Sequence, residues 1–267
     1  MKNIARVLFA SYIIYIVIGV IQLVTPDFLV NLLNRATNEG GRGSISLANE
    51  PTYFSIQLIL ISLMLLLIDY EKYKFVMIVD LLVSLAIAQT MNGFVFSVCF
   101  FCVFTNWQKK DLRFIALYVS LAIGLMYFAI MLYIRFSPNS RFAFLFTNMV
   151  RYPNLIIEMD SSFRSRIVNF TRQIEEFIKN YMMPNGIYGS YISMLSGLLY
   201  EIGILSFPIF YFIIKVCKSR KRYLIIILIL SLSSLNLTNP TFNMLLGFLF
   251  FKSNNERLED VSLLEKL

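Results

Sequence analysis

Apolar residues run through this chain in long blocks, not at alternating positions. Ile13 to Val24, Ile56 to Ile68, Ile115 to Ile134 and Tyr223 to Phe251 contain no charge. A helix needs about 20 apolar residues to cross a hydrocarbon core of about 30 Å, so such blocks are the pattern of membrane spans. The pattern predicts an all-α, polytopic transmembrane helix bundle of about eight spans: 7–25, 53–69, 74–89, 92–106, 113–134, 190–215, 223–237 and 239–251. Four of these are short and form two pairs. The first pair breaks at Gln89-Thr90-Met91-Asn92-Gly93 and the second at Asn236-Leu237-Thr238-Asn239-Pro240, where polar residues, Gly and Pro mark turns. Each pair reads as a tight hairpin. The second also reads as one long kinked helix, which moves the C-terminus across the membrane. The whole chain, 1–267, is expected to form one integral membrane domain.

Two longer segments separate the spans, at about 26–52 and 135–189. The second is too long for a structureless connection. Within it Phe163, Ile167, Phe170, Ile174, Phe177, Ile178 and Tyr181 recur at spacings of three and four, one apolar stripe of an amphipathic helix. Asp160, Ser161 and Ser162 are candidate caps. Arg172, Glu175, Glu176 and Lys179 lie on the opposite face. The helix is expected to lie on the outer leaflet or to roof the bundle. It ends at Met182-Met183-Pro184-Asn185-Gly186.

Lys and Arg in short loops orient the spans. Lys2 and Arg6, Lys72 and Lys74, Lys109, Lys110 and Arg113, and Lys215, Lys218, Arg220, Lys221 and Arg222 all fall on one face of an eight-span bundle. That face, with the N-terminus, is expected in the cytoplasm. The two long segments then face outward. They carry Arg35, Arg42, Arg135, Arg141, Arg151, Arg164, Arg166 and Arg172 against Lys179 alone, whereas the other fifteen basic residues are five Arg and ten Lys. A helix end needs only a positive charge, but the guanidinium fork grips two phosphate oxygens at once. The external arginines therefore read either as a grip on phosphate or diphosphate, or as ordinary surface arginines touching lipid headgroups.

Composition agrees: 58% of residues are hydrophobic and 15% charged, against about half and about a quarter in soluble domains. No small-residue cleavage site follows Lys2 and Arg6, so the first block reads as a retained span. With no His and no soluble Cys cluster, no transition-metal site and no other cofactor is expected. Cys99-Phe100-Phe101-Cys102 has redox spacing inside a span, and with Cys217 these thiols are expected to pack as small hydrophobes. Nothing points to nucleic acid. Glu201 stands near the midplane of its span, where a carboxylate is costly unless paired, protonated or hydrated. It reads as functional or as a structural hydrogen bond to a neighbouring helix. Ser193, Gly197, Glu201, Ile204 and Pro208 share its helical face. Asp80 lies nearer the cytoplasmic end of its span, where it can reach water more easily, and ranks below Glu201. Glu50 precedes Pro51 at a helix start, where the dipole favours its ionised form, either as a capping acid or as a functional one.

Three stretches resemble the O-antigen and capsule polymerases of the Wzy type, relatives of the O-antigen ligases. Arg42-Gly43-Ser44 with Glu50-Pro51-Thr52-Tyr53 is similar to the family's Arg-x-x-Gly and Glu-Pro-Ser segment entering a span. Asp160-Ser161-Ser162-Phe163-Arg164-Ser165-Arg166-Ile167, followed by Pro184-Asn185-Gly186-Ile187-Tyr188-Gly189, resembles the Ser and Arg stretch and the Pro-x-Gly-x-Gly of its large external loop. Glu201-Ile202-Gly203-Ile204-Leu205 is like its Glu-x-Gly-Ile. Together they cover about residues 35–250. Members usually have ten or more spans, so the chain reads as a short or truncated homologue. Ile192-Ser193 stand where a ligase-type His often lies, and the paired Arg-x10-Gly motifs of some polymerases are not found.

The resemblance implies a metal-independent glycosyltransferase in the bacterial inner membrane. It polymerises undecaprenyl-diphosphate-linked oligosaccharide units into O-antigen or capsule, beside a chain-length regulator and a flippase of the same pathway. The catalytic candidates are Glu50 and Asp160 as base and Arg166 on the leaving diphosphate. Arg42, Arg164, Arg172 and Tyr53 are candidate substrate-binding residues. A flippase or transporter of lipid-linked glycans, a ligase-type glycosyltransferase and a non-catalytic membrane subunit are the other readings.

Overall fold

Three helical runs among the described residues are long and apolar enough to cross a membrane: Asn3–Val24, Pro51–Ile68 and Met194–Cys217, the last interrupted by a tight turn. The computed structural model describes residues 2–25, 28–29, 43–48, 50–105, 131, 135, 144, 147–148, 151–152, 161–186, 193–232, 237 and 239–264. Most of these are helical, with no strand among them. The helices are α1 (Lys2–Val24), α2 (Pro51–Ile68), α3 (Tyr70–Tyr73), α4 (Val76–Ala86), α5 (Met91–Phe104), α6 (Ser161–Lys179), α7 (Met194–Ile202), α8 (Ser206–Cys217), α9 (Lys221–Ser231) and α10 (Pro240–Leu264). Nearly all of the expected span 113–134 and most of the 135–160 stretch lie outside the described residues.

α2 is the axis of the bundle. Its sequence is apolar on every side, and a helix of that kind is stable only when surrounded. α1, α4, α5 and α10 surround it, and Ile56, Leu58, Ile59, Leu60, Leu63, Met64 and Leu65 are fully buried. The outer surface is apolar as well: Val7, Ile14, Val17 and Val24 of α1, Phe207 and Tyr211 of α8, and Phe251 of α10 are exposed. Water does not tolerate so continuous an apolar surface, whereas lipid tails do.

Both short pairs fold back on themselves. α4 packs along α5 across the 87–90 turn. Arg222 at the start of α9 donates to the Phe104 carbonyl at 3.3 Å, and Lys252 of α10 donates to the Leu67 carbonyl at 2.6 Å. Tyr70 also reaches the Phe104 carbonyl, at 2.8 Å. The start of α9 and residue 252 therefore lie at one end of the bundle, as a hairpin requires and one long kinked helix does not allow. Lys72 and Lys74 share that end, where Phe9 of α1 packs on Tyr73 and Phe75. Glu50 and the α4–α5 turn lie at the other end.

One expectation needs correction. The span 190–215 is not one continuous helix: α7 stops at Ile202, Gly203–Leu205 form one tight 3-10 turn, and α8 restarts at Ser206. The break re-phases the helix. Ser193, Gly197 and Glu201 are buried, but Ile204 and Pro208 turn outward and Ser206 takes the inward position. The amphipathic helix α6 runs alongside α7 in the same direction, because Gln173 accepts from Ser196 at 2.6 Å and Met182 accepts from the Ile204 N–H at 2.9 Å.

Candidate functional site

The first stretch of interest is a loop plugged into the end of the bundle opposite the basic one. Gln22, in the last turns of α1, is completely buried. Its Oε1 accepts from Ser44 Oγ at 2.8 Å and from the Ser46 N–H at 2.7 Å, and its Nε2 donates to the Ser46 carbonyl at 3.0 Å and to the Phe28 carbonyl at 3.3 Å. One side chain thus satisfies both backbone groups of Ser46, a residue held in the left-handed region at φ 51°. Ser46 Oγ donates to the Tyr15 carbonyl, and the Ser44 N–H donates to the Ile87 carbonyl at 3.0 Å. A Cβ on Gly43 would overlap the Ala88 carbonyl, so the loop seats only with Gly there. Thr52 and Thr90 share a hydrogen bond of 2.9 Å and close the α2 side.

Glu50 and Tyr53 stand at this mouth. Glu50 is the N-cap of α2 with extended backbone, Pro51 follows in the first turn, and the Glu50 side chain makes no capping hydrogen bond. Glu50 and Tyr53 are both half-buried.

The second and third stretches meet at the break in α7–α8. Tyr181 and Met182 end α6 in left-handed conformations, φ 52° and 64°. The turn that follows caps α7 from the side: the Asn185 and Gly186 N–H groups donate to the Tyr200 and Glu201 carbonyls, each at 3.2 Å, and Asn185 Nδ2 donates to Tyr200 at 3.1 Å. A helix end leaves its last carbonyls without internal partners, and here Asn185 and Gly186 satisfy them. Gly203 has φ +59°, and a Cβ there would strike the Met182 carbonyl. The Glu201 side chain is buried.

Of the expected arginines, Arg164 and Arg172 lie on the exposed face of α6. Arg172 Nε donates to Glu176 at 2.8 Å, and Lys179 pairs with Glu175 at 3.7 Å. Arg172 is thus engaged on its own helix, not brought to Glu50. Arg166 sits on α6 as a backbone position; its side chain, like Arg42 and Asp160, lies outside the described residues.

Sequence reasoning misjudged Asp80: it does not reach water but is 1% exposed. It missed Tyr12 and Gln22, although a lone Gln between Ile21 and Leu23 in an uncharged block was a visible signal. None of the three cysteines forms a disulfide; Cys217 is buried and Cys102 lies on the outer face, so burial holds for Cys217 and not for Cys102. No family model, curated protein or solved structure matches the chain.

Proposed function

We propose that the chain polymerises undecaprenyl-diphosphate-linked oligosaccharide units into O-antigen or capsule, at the outer face of a bacterial cytoplasmic membrane that it crosses about eight times. One observation carries the reading. The stretches that resemble the polymerases contain or adjoin strained and interlocked parts of the backbone. Ser46 and Gln89 flank the Gly43 contact, Tyr181 and Met182 precede Pro184, and Gly203 closes on Met182. Strained, over-determined backbone gathers at functional sites.

In this reading the basic end is cytoplasmic. Arg42, Arg164, Arg166 and Arg172 hold the lipid diphosphate, and Tyr53 lines the mouth. The acceptor hydroxyl attacks the anomeric carbon, and the bond to the diphosphate oxygen breaks with its electron pair leaving on the diphosphate. Glu50 takes the hydroxyl proton, with Asp160 as the second candidate.

A flippase for the same glycans is the second reading. The discontinuous α7–α8 with buried Glu201 favours it, because broken helices line transporter sites. Deletion separates the two. Single repeat units on the cell surface support polymerisation, undisplayed lipid-linked units inside support flipping, and wild-type chain lengths remove both. Arg166→Lys is expected to shorten the glycan more than Lys109→Ala does, because Lys lacks the bidentate fork. Equal, negligible effects contradict the diphosphate grip.

A further inference from the structure

Four helices meet around a polar cluster that glycan transfer does not use. Asp80 of α4 accepts from Tyr12 of α1 at its Oδ1, at 2.8 Å, and both residues are 1% exposed. The Tyr12 hydroxyl also lies 3.3 Å from the Val76 carbonyl. Ser97 of α5 reaches the Asp80 carbonyl at 3.4 Å and lies 2.8 Å from Ser84 Oγ. Ser62 of α2, fully buried, stands beside both Tyr12 and Asp80.

Two oxygens here have no hydrogen-bond partner: Asp80 Oδ2 and Ser62 Oγ. Among the described residues no ion pair involves Asp80. A bare carboxylate in such a place is strongly disfavoured without a cation, several donors or water. A proton on Oδ2 removes the charge that burial disfavours, while Oδ1 remains the acceptor for Tyr12.

We propose that Asp80 is an intramembrane proton-binding site, occupied at neutral pH, with Tyr12, Ser62, Ser84 and Ser97 as its walls. The titratable group facing it from α1 is Tyr12; α2 presents Ser62 and α5 presents Ser97. A single carboxylate, one oxygen of which already accepts a hydrogen bond, suits a proton better than a metal ion. The site stands independently of the glycan reading.

The full chain in phospholipid nanodiscs tests it. The infrared difference between wild type and Asp80→Asn at neutral pH is expected to show the carbonyl stretch of a protonated carboxylic acid, lost in the variant. Tyr12→Phe, which removes the hydrogen bond to Oδ1, is expected to shift that band. Wild type treated with dicyclohexylcarbodiimide is expected to carry the adduct on Asp80 in peptide mass spectra, a readout that stands even where a variant fails to fold. Carboxylate bands in place of the acid band overturn the proposal, as does wild type without the adduct. Loss of the acid band or of the adduct on adding sodium alone also overturns it, by making the ligand a metal ion.

Discussion

Single residues fix the geometry at both candidate regions. Gly203 adopts a backbone that costs L side chains about 1–3 kcal/mol before any overlap, and a Cβ would also meet the Met182 carbonyl. Gly203→Ala is therefore expected to lower the thermal midpoint in detergent. Gly247 of α10 is the control: a Cβ there meets nothing within 4 Å, and Ala is the better helix former by about 1 kcal/mol. Gly247→Ala should leave the midpoint unchanged or raise it; equal loss in both variants contradicts the assignment of Gly203 to a close approach. Gln22→Leu keeps the bulk but strands the Ser46 N–H and carbonyl and Ser44 Oγ, each worth about 1–3 kcal/mol when buried and unmet. A melt equal to wild type would mean that Gln22 does not hold the loop. Little of this was legible in the residues. A Gly in an apolar run reads alike whether it packs or bends, and Asp80 was misplaced because distance from a helix end does not report which neighbours cover it.

At the scale of elements, helix periodicity read well where packing respects it and failed where the backbone breaks. The expected amphipathic helix 163–181 is α6, 161–179, and the α4–α5 hairpin folds where Gln89 to Gly93 marked it. The face shared by Ser193, Gly197 and Glu201 is real, but carrying it on to Ile204 and Pro208 failed, since the 3-10 turn at Gly203 advances the chain out of phase. The stripe on α6 is divided likewise: Phe177 packs inward, while Ile167 and Ile178 stay exposed. On its polar face the Arg172 guanidinium holds the Glu176 carboxyl below its ordinary value of 4.5. A depressed carboxylate stabilises the fold above that ordinary value, and the contribution is lost as pH falls through the lower, folded one. The pair is solvent-facing, so little is at stake. Glu176→Gln is expected to melt with wild type at neutral pH, and a clear drop would show that the pair has a structural role.

For the whole molecule, the all-helical fold and its apolar membrane-length helices were legible because block length and charge-free composition reflect the surrounding solvent; that α2 is the buried axis was not. The contacts between loops were not, because they depend on carbonyls and turns that no periodicity encodes. The two ends of the bundle differ in chemistry. Lys72, Lys74, Arg222 and Lys252 gather at one, and Glu50, Thr52 and the Gln22-held loop at the other. Glycan transfer at the outer face requires the second end to face away from the cytosol. The most direct measurement replaces Cys99, Cys102 and Cys217, then introduces Thr171→Cys on α6 or Lys72→Cys in the basic turn, with a membrane-impermeant maleimide added to intact cells. Thr171→Cys is expected to label at once and Lys72→Cys only after the cells are opened; the reverse order would contradict the orientation on which the proposed function rests.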